Sequence, residues 1–190
     1  MTLTTDHPVD NGVDTAALLG AREALSASPG AAEFTWRSTT DWVRGTHSRS
    51  TVTGFSGLGQ EHTHRDSFTF DADHPACFAS QDLGAAPVEI VLSALGSCLT
   101  AGVAAVAQHR GIQLRSVTAT VEATMNVLGI LGADPDVRNG FDSVTVRFDI
   151  DSDASADELA AVVAQSQKRS AVFDLMTNPT NVVVAHVASR

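Results

Sequence analysis

Residues 87–111 read PVEIVLSALGSCLTAGVAAVAQHRG, the longest largely apolar run in the chain, with Cys98 near its middle. Pro87 is well placed to begin a helix, because the N–H group that proline lacks would have no partner in the first turn. Gly111 is well placed to end it, because glycine readily adopts the left-handed conformation that follows a last helical turn. We therefore predict one helix from Pro87 to about Arg110.

A helix of this length and composition has two structural interpretations. About 20 apolar residues span a bilayer, but this run is built mostly of Ala and Val, begins with Pro87 and Glu89, and lacks strongly basic flanks. A helix that is apolar on all sides is instead typical of a large core. Its small residues would let a second backbone approach closely: Ala94, Gly96, Ser97, Ala101 and Gly102. We predict a long buried central helix and, because the chain is short, an intertwined homodimer.

Composition limits the classes of function. The chain has 190 residues, with 12 Lys and Arg against 22 Asp and Glu. A formal net charge of −10 without a basic stripe argues against binding to nucleic acid or to an anionic membrane surface. Residues 1–14 show neither the basic nor the apolar region of a secretory signal, so we expect a cytoplasmic protein. Two cysteines are too few for a disulfide framework.

The remaining sequence predicts an α+β protein with antiparallel strands. We expect a mobile acidic tail and an N-terminal helix within residues 1–32, and a single domain over residues 33–190. Helical spacing predicts a helix in 13–25. A capping box of Ser155 and Glu158 predicts another in 156–168, and a second short helix follows in 170–176. Alternating apolar residues predict a three-stranded meander in 33–73, a strand pair in 114–127 and 141–150, and a final strand in 181–187.

Cys98 and the histidines each have two interpretations at this point. A buried free cysteine is often a small hydrophobic core residue, but a helix cysteine in an apolar setting is also a candidate nucleophile. His62 and His64 lie at alternate positions of a strand, near His47 and His74, and could share a face. Because no Cys-x-x-Cys or His-Glu-x-x-His motif accompanies them, surface histidines are favoured over a metal site.

Residues 87–123 resemble the central stretch of the OsmC/Ohr family of osmotically induced and organic-hydroperoxide-resistance proteins. The shared features are a proline, a glutamate one or two positions later, two small residues before a cysteine, and a GI-x-L sequence leading into a strand. The order of the predicted helices and strands also matches from about Phe34 onward. The resemblance implies an OsmC-like fold and an intertwined homodimer with two sites at its interface.

The resemblance also implies a thiol-dependent peroxidase that uses neither cofactor nor metal. In active members a helix cysteine attacks the O–O bond of an organic hydroperoxide and becomes a sulfenic acid. A second cysteine converts it to a disulfide, and a low-molecular-weight thiol or dithiol restores the reduced enzyme. Because only a thiolate attacks, a nearby arginine is expected to lower the thiol pKa from about 8.5.

Carried onto this chain, the peroxide-reactive cysteine is Cys98 and the helix glutamate is Glu89. Glu89 departs from the hydroperoxide-reductase pattern, because the sequence is Pro-Val-Glu rather than Pro-Glu. Nine residues at 100° each would place the two on opposite sides of a helix, unless Glu89 precedes the helix or reaches across the dimer. The arginine is expected in the turn RGTHSR, where Arg49 is favoured and Arg44 comes second; both are equally well explained as solvated hairpin residues.

The second active-site cysteine of the family is missing, because Ser170 stands at its position. A serine forms no disulfide, so the usual two-cysteine cycle is unavailable there. Cys77, in the loop HPACFASQDLGAAP, could resolve a sulfenic acid at Cys98 only if the two Cα atoms come within about 7 Å. The alternative is that Cys77 and Phe78 fill the core beneath this loop. The enzyme hypothesis therefore stands beside a non-catalytic dimer that binds a small molecule or senses redox state.

Overall fold

The computed structural model describes residues 8–186. Its helices are α1 (Thr15–Ala27), α2 (Pro87–His109), α3 (Ala156–Lys168) and α4 (Ala171–Thr177). Its strands are β1 (Thr35–Trp36), β2 (Thr39–Arg44), β3 (His47–Gly57), β4 (Gln60–Ala72), β5 (Leu114–Thr124) and β6 (Ser143–Ser152). These strands pair with one another in antiparallel fashion, and one isolated parallel bridge joins Ala72 to Ala85. The predicted α+β class with a long central helix is confirmed.

The chain divides into two compact units, and the division falls inside α2. Residues 14–93 form one unit, which contains a four-stranded sheet. In this sheet β3 pairs with β1, β2 and β4. The sequence predicted three strands here, but the first one is interrupted between Trp36 and Thr39. Leu58 and Gly59 both have positive φ and close the tight β3–β4 turn, as a two-residue hairpin connection requires.

The second unit comprises residues 8–13 and 94–186. Its sheet pairs β5 with β6, and its apolar side chains alternate with polar ones as predicted; Val121 stands opposite Val146, for example. Val103, Val106 and Ala107 of α2 form a buried core with Val162 of α3. Partly buried residues of the sheet and its flanks pack against this core: Ile112, Leu114, Val117, Phe148, Ile150 and Val163. The two helices thus cover one face of the sheet.

Helix α2 is buried on one face only within the single chain. Leu95, Leu99 and Val103 are buried, whereas Ala94, Ser97 and Ala101 on the opposite side of the helix are exposed. Val88 and Val91, at the N-terminal end of the buried side, are 40% and 42% exposed. By length and composition α2 could cross a membrane, but its buried face and its contacts with α3 are those of a core helix. Gly111, with φ of 69°, follows the helix as predicted.

Two terminal segments differ from their predictions. The predicted final strand in 181–187 is wrong for residues 181–186, which pair with no strand in the described chain; residue 187 lies outside the described range. Val182, Val183 and Val184 are 76–92% exposed, because a β-branched run needs a neighbouring strand edge to form a strand. At the other end the predicted tail is anchored from Val9, whose carbonyl accepts a hydrogen bond from Gln108, and Asn11 hydrogen-bonds the backbone beyond α2.

Helix α1 forms as predicted, but its apolar face is not buried. The Asp14 side chain caps its N-terminus by accepting a hydrogen bond from the Ala17 N–H. No residue of the helix is buried, and Leu18 and Leu19 remain 54% and 44% exposed. The helix therefore owes its local stability to capping and propensity rather than to burial of its apolar side.

Candidate functional site

The structure brings together two of the residues that the sequence singled out, Cys98 and Ser170. The Ser170 hydroxyl donates a hydrogen bond to the Cys98 sulfur over 3.1 Å. Cys98 is partly exposed on α2, and Ser170 is 5% exposed at the start of α4. Cys98 is therefore not sealed inside the protein, while its hydrogen-bond donor is almost fully buried.

The packing of α3 against α2 positions this pair. Ser166, in the last turn of α3, donates a hydrogen bond to the Leu99 carbonyl over 2.6 Å. Gly102 faces Ser166, and a Cβ atom there would collide with the serine side chain. The close approach at Leu99 and Gly102 places the end of α3 beside Cys98, so that the next residues reach the sulfur.

Ser170 is held in place by its role as the N-cap of α4. Its hydroxyl oxygen accepts a hydrogen bond from the Phe173 N–H over 3.1 Å. Serine is a favoured N-cap residue because its oxygen satisfies one of the unpaired N–H groups of a first turn. The capping contact fixes the rotamer of Ser170, which leaves the hydroxyl proton available to Cys98.

Two opposing effects act on the pKa of Cys98. Partial burial raises the pKa of the thiol, since it disfavours the charged form. Hydrogen bonds from the Ser170 hydroxyl and from the backbone N–H groups of Val172 and Ala171 lower it. The hydrogen bonds together outweigh burial, so the pKa lies below its ordinary value and the thiolate fraction at neutral pH rises.

Arg49 and Arg44 lie in the unit formed by residues 14–93. Arg49 donates two hydrogen bonds to the carboxylate of Asp71, from Nε over 3.1 Å and from Nη2 over 3.2 Å. His47 also contacts Asp71, with 2.6 Å between Nε2 and Oδ1, and these contacts hold the pKa of the carboxyl below its ordinary range. Arg44 is exposed at the end of β2. Arg49 is thus committed to a carboxylate on the neighbouring strand.

Glu89 caps its own helix. Its carboxylate accepts a hydrogen bond from the Ala86 N–H over 2.8 Å, the reciprocal half of a capping box. Glu89 lies within the first turn of α2, so it does not precede the regular helix. Glu89 therefore cannot approach Cys98 by preceding the helix, and contact across a dimer is the possibility that remains.

Cys77 lies on the surface rather than in the core. It is exposed in the short 3-10 helix Ala76–Phe78, and Phe78 is 37% exposed. The expectation that these two residues fill the core beneath the loop is wrong, because the loop is organised by a buried carboxylate instead. Asp73, 1% exposed, accepts hydrogen bonds from the Ser80 and Thr46 hydroxyls.

The histidines of β4 belong to an aromatic cluster on the four-stranded sheet. The His62 ring stacks on Phe55 with centroids 4.9 Å apart, and its Nε2 lies 3.0 Å from the Gly57 carbonyl. His64 contacts Phe55 and Phe68. Across residues 8–186, no group of three or more His, Cys, Asp or Glu side chains is arranged to hold a metal ion.

Sequence reasoning missed two carboxylates and two backbone groups. Asp71 lies near the end of β4 and Asp73 directly follows it, so from the sequence they mark only the end of a predicted strand. The N–H groups of Ala171 and Val172 carry no sequence signal. Their contact with Cys98 depends on the path from α3 to α4.

Comparison with known proteins relates this chain to a protein family. The family model described as OsmC-like protein matches residues 80–185. The OsmC-like protein of Mycoplasma pneumoniae superposes with a TM-score of 0.58 at 16% identity, over 75% of this chain and 86% of that chain. An organic hydroperoxide resistance protein OsmC from Legionella pneumophila superposes with a TM-score of 0.53 at 17% identity, over 75% and 89%. No curated protein matches the sequence.

At these identities the structural similarity establishes the fold alone. The family match is independent of it, spans more than half of the 190 residues, and contains Glu89, Cys98 and Ser170. The helix with its central cysteine, the antiparallel strands and the matched family model agree: this chain belongs to the OsmC-like protein family.

Proposed function

We propose that this protein is a thiol-dependent peroxidase that reduces organic hydroperoxides through Cys98. The observation that carries the proposal is the set of hydrogen bonds to the Cys98 sulfur, which lower its pKa although the residue is partly buried. A thiolate that is stabilised and still reachable is what a peroxide-reactive cysteine requires. A cysteine that serves only as a core residue needs no such donors.

The first half of the reaction follows from thiolate chemistry. The Cys98 sulfur attacks the terminal oxygen of the hydroperoxide, so that an S–O bond forms while the O–O bond breaks. The thiolate is oxidised to a sulfenic acid, and the peroxide is reduced to an alkoxide that takes up a proton and leaves as the alcohol.

The second half of the reaction, reduction of the sulfenic acid, needs a thiol other than Cys98, because Ser170 cannot form a disulfide. An external thiol condenses with the sulfenic acid, which yields a mixed disulfide and water. A second thiol then attacks that disulfide and regenerates the Cys98 thiolate. A low-molecular-weight thiol or dithiol of the cytoplasm fits this role. Cys77 is the one alternative within the chain, and its exposure is compatible with a resolving function.

An organic hydroperoxide is the proposed substrate rather than hydrogen peroxide. Cys98 lies in helix α2, whose side chains are mostly apolar, which favours an alkyl group beside the reacting oxygen. The Legionella pneumophila protein of the same fold is described as an organic hydroperoxide resistance protein. Both observations support the substrate class.

Arg49, Arg44 and Glu89 are proposed to assist Cys98. Arg49 is the preferred partner of the thiolate or of the leaving oxygen, with Arg44 second. Because Arg49 is paired with Asp71, it would reach a substrate only by sharing or leaving that carboxylate. Glu89 is proposed to position the arginine beside Cys98 of a second copy of the chain, because within one chain Glu89 and Cys98 lie on opposite sides of α2.

We further propose that the active form is an intertwined homodimer. Two apolar surfaces of the single chain remain open to solvent: the N-terminal end of α2, with Val88 and Val91, and the C-terminal segment with Val182, Val183 and Val184. Exposed apolar side chains of this kind are typical of an interaction site. A second copy of the chain would bury both.

The proposal is tested by the oxidation rate of the reduced protein with cumene hydroperoxide and with hydrogen peroxide. We expect wild type and Cys77→Ser to consume cumene hydroperoxide at least about a hundredfold faster than free cysteine at the same pH, and Cys98→Ser to show no fast phase. A Cys98 that reacts no faster than free cysteine would reject the peroxidase. A fast phase with hydrogen peroxide alone would reject the substrate class.

One observation favours a second function. The serine at position 170 removes the thiol that would complete a two-cysteine cycle, and a protein that only senses peroxide or binds a small apolar molecule has no need of rapid turnover. In such a protein Cys98 would be oxidised once and remain oxidised in the presence of thiols. Repeated turnover with a monothiol or dithiol reductant distinguishes the peroxidase from this alternative.

A further inference from the structure

We propose that Ser170 is a catalytic residue that donates a hydrogen bond to the reacting sulfur of Cys98. The proposal rests on the function proposed above, and it assigns a chemical task to the residue that replaces a second cysteine. The hydroxyl contacts the sulfur directly, over 3.1 Å. It acts on the atom that attacks the peroxide rather than through another residue.

The hydrogen-bond arrangement determines which partner donates. The Ser170 oxygen already accepts from the Phe173 N–H over 3.1 Å, which fixes the direction of its lone pairs. Its single proton is then free to point at the sulfur, and a thiolate accepts hydrogen bonds but donates none. A hydrogen bond to an ionised partner is stronger than one between neutral groups, so the contact favours the thiolate over the thiol.

Burial makes this donor effective. Ser170 is 5% exposed, so little water competes for its hydroxyl. The Ser166 contact to Leu99 holds the end of α3 against α2 and limits the freedom of the residues that follow. Ser170 is therefore a pre-positioned donor, and no reorganisation is needed when the thiolate forms.

A hydrogen bond to the sulfur changes how the reaction rate of the thiol depends on pH, whereas a purely structural role of Ser170 as helix cap does not. It enlarges the thiolate population below the thiol pKa, but it reduces the intrinsic nucleophilicity of each thiolate, with a Brønsted coefficient of about 0.4–0.5. For a roughly tenfold change in thiolate population, the net gain in rate at low pH is about threefold, and the loss at high pH is also about threefold. Removal of the hydroxyl should reverse both effects.

The experiment measures alkylation of Cys98 by iodoacetamide as a function of pH in a Cys77→Ser background. Ser170→Ala and Ser170→Gly remove the donor, and glycine keeps most of the N-cap stability that alanine loses. Ser170→Thr keeps both hydroxyl and cap. We expect the Ala and Gly variants to react about threefold more slowly than the parent below its thiol pKa and about threefold faster above it, while the Thr variant follows the parent.

Alkylation needs no peroxide, so this test is separate from that of the proposed function. If the Ala and Gly profiles superimpose on the parent profile while circular dichroism shows intact helices, Ser170 is only a helix cap and the assignment is wrong. If only Ala is slowed and Gly behaves as the parent, the effect belongs to capping, and the assignment is again wrong. Failure of peroxide turnover with crossing alkylation profiles would reject the peroxidase but keep the hydrogen-bond role.

Discussion

The chemical character of Cys98 depends on a side chain 72 residues further along the chain. An isolated cysteine in an apolar helix would have its pKa raised by burial. Here the Ser170 hydroxyl and two backbone N–H groups reverse that tendency. At this scale, the sequence identified Cys98 and Ser170 through the family resemblance. It could not reveal that the serine donates to the sulfur, because that contact depends on the packing of α3.

A second residue of consequence is Asp73, a buried carboxylate. It accepts hydrogen bonds from Ser80 Oγ over 2.6 Å, Thr46 Oγ1 over 2.7 Å, the His74 N–H over 2.8 Å and the Leu83 N–H over 3.1 Å. These donors surround both oxygens, so the charge is compensated without a cation. They hold the pKa of Asp73 far below its ordinary value, with Ser80 the largest contributor.

Asp73→Asn is expected to destabilise the protein at neutral pH, because an amide offers one acceptor oxygen where four donors converge. Since the folded-state pKa is lowered, the stabilisation is present above the unfolded value of about 3.9 and is lost as the pH falls below it. The difference in Tm between wild type and variant should therefore be largest near neutral pH and shrink in acid. The exposed Asp66→Asn serves as control, and a pH-independent difference would contradict the explanation.

At the scale of elements, the contact between α2 and α3 determines the site. Ser166 of α3 donates a hydrogen bond to the Leu99 carbonyl of α2. It also lies so close to Gly102 that no Cβ atom fits there. The sequence correctly predicted the features that depend on neighbouring residues in the chain. These are the helices, the capping box at Ser155 and Glu158, and the alternation of apolar and polar residues in β5 and β6. Which turns of α2 and α3 meet was not predicted, because it depends on the shapes of both surfaces.

Gly102→Ala is expected to lower the free energy of unfolding by about 1–3 kcal/mol, because the added methyl group displaces Ser166 and its hydrogen bond. This loss exceeds the gain of about 1 kcal/mol in helix propensity. Gly20→Ala is the matched control, since a Cβ at Gly20 of α1 has no neighbour within 4 Å, and it should be neutral or stabilising. Urea denaturation measures the free energy of unfolding of both variants. If Gly102→Ala is tolerated as well as Gly20→Ala, the α2–α3 contact can relax and the explanation is wrong.

At the scale of the whole molecule, the main feature is unburied apolar surface. The sequence suggested complete burial of α2 and a final strand at the C-terminus. In the single chain one face of α2 is exposed, and the C-terminal valines pair with no strand among residues 8–186. Local pattern predicts what a segment can form, whereas formation of an interface strand also needs an edge that a second molecule would supply.

The proposed homodimer gives a direct prediction. Wild type should have the mass of a dimer in sedimentation equilibrium, and Val91→Glu should shift it toward monomer by roughly tenfold or more in dissociation constant, because the variant buries an unpaired charge. Thr120→Glu adds the same charge to the exposed face of β5 and is the control. A monomeric wild type, or a dimer that Val91→Glu leaves unchanged, would reject the proposed interface.

The measurement that tests the central claim most directly is the intact mass of the reduced protein after one equivalent of cumene hydroperoxide. We predict the gain of one oxygen atom with loss of one thiol in wild type and Cys77→Ser, and no change in Cys98→Ser. Loss of both thiols, with the mass of a disulfide, would instead make Cys77 the resolving residue of the same peroxidase. An unmodified Cys98 while the peroxide persists would contradict the assignment of Cys98 as a peroxide nucleophile.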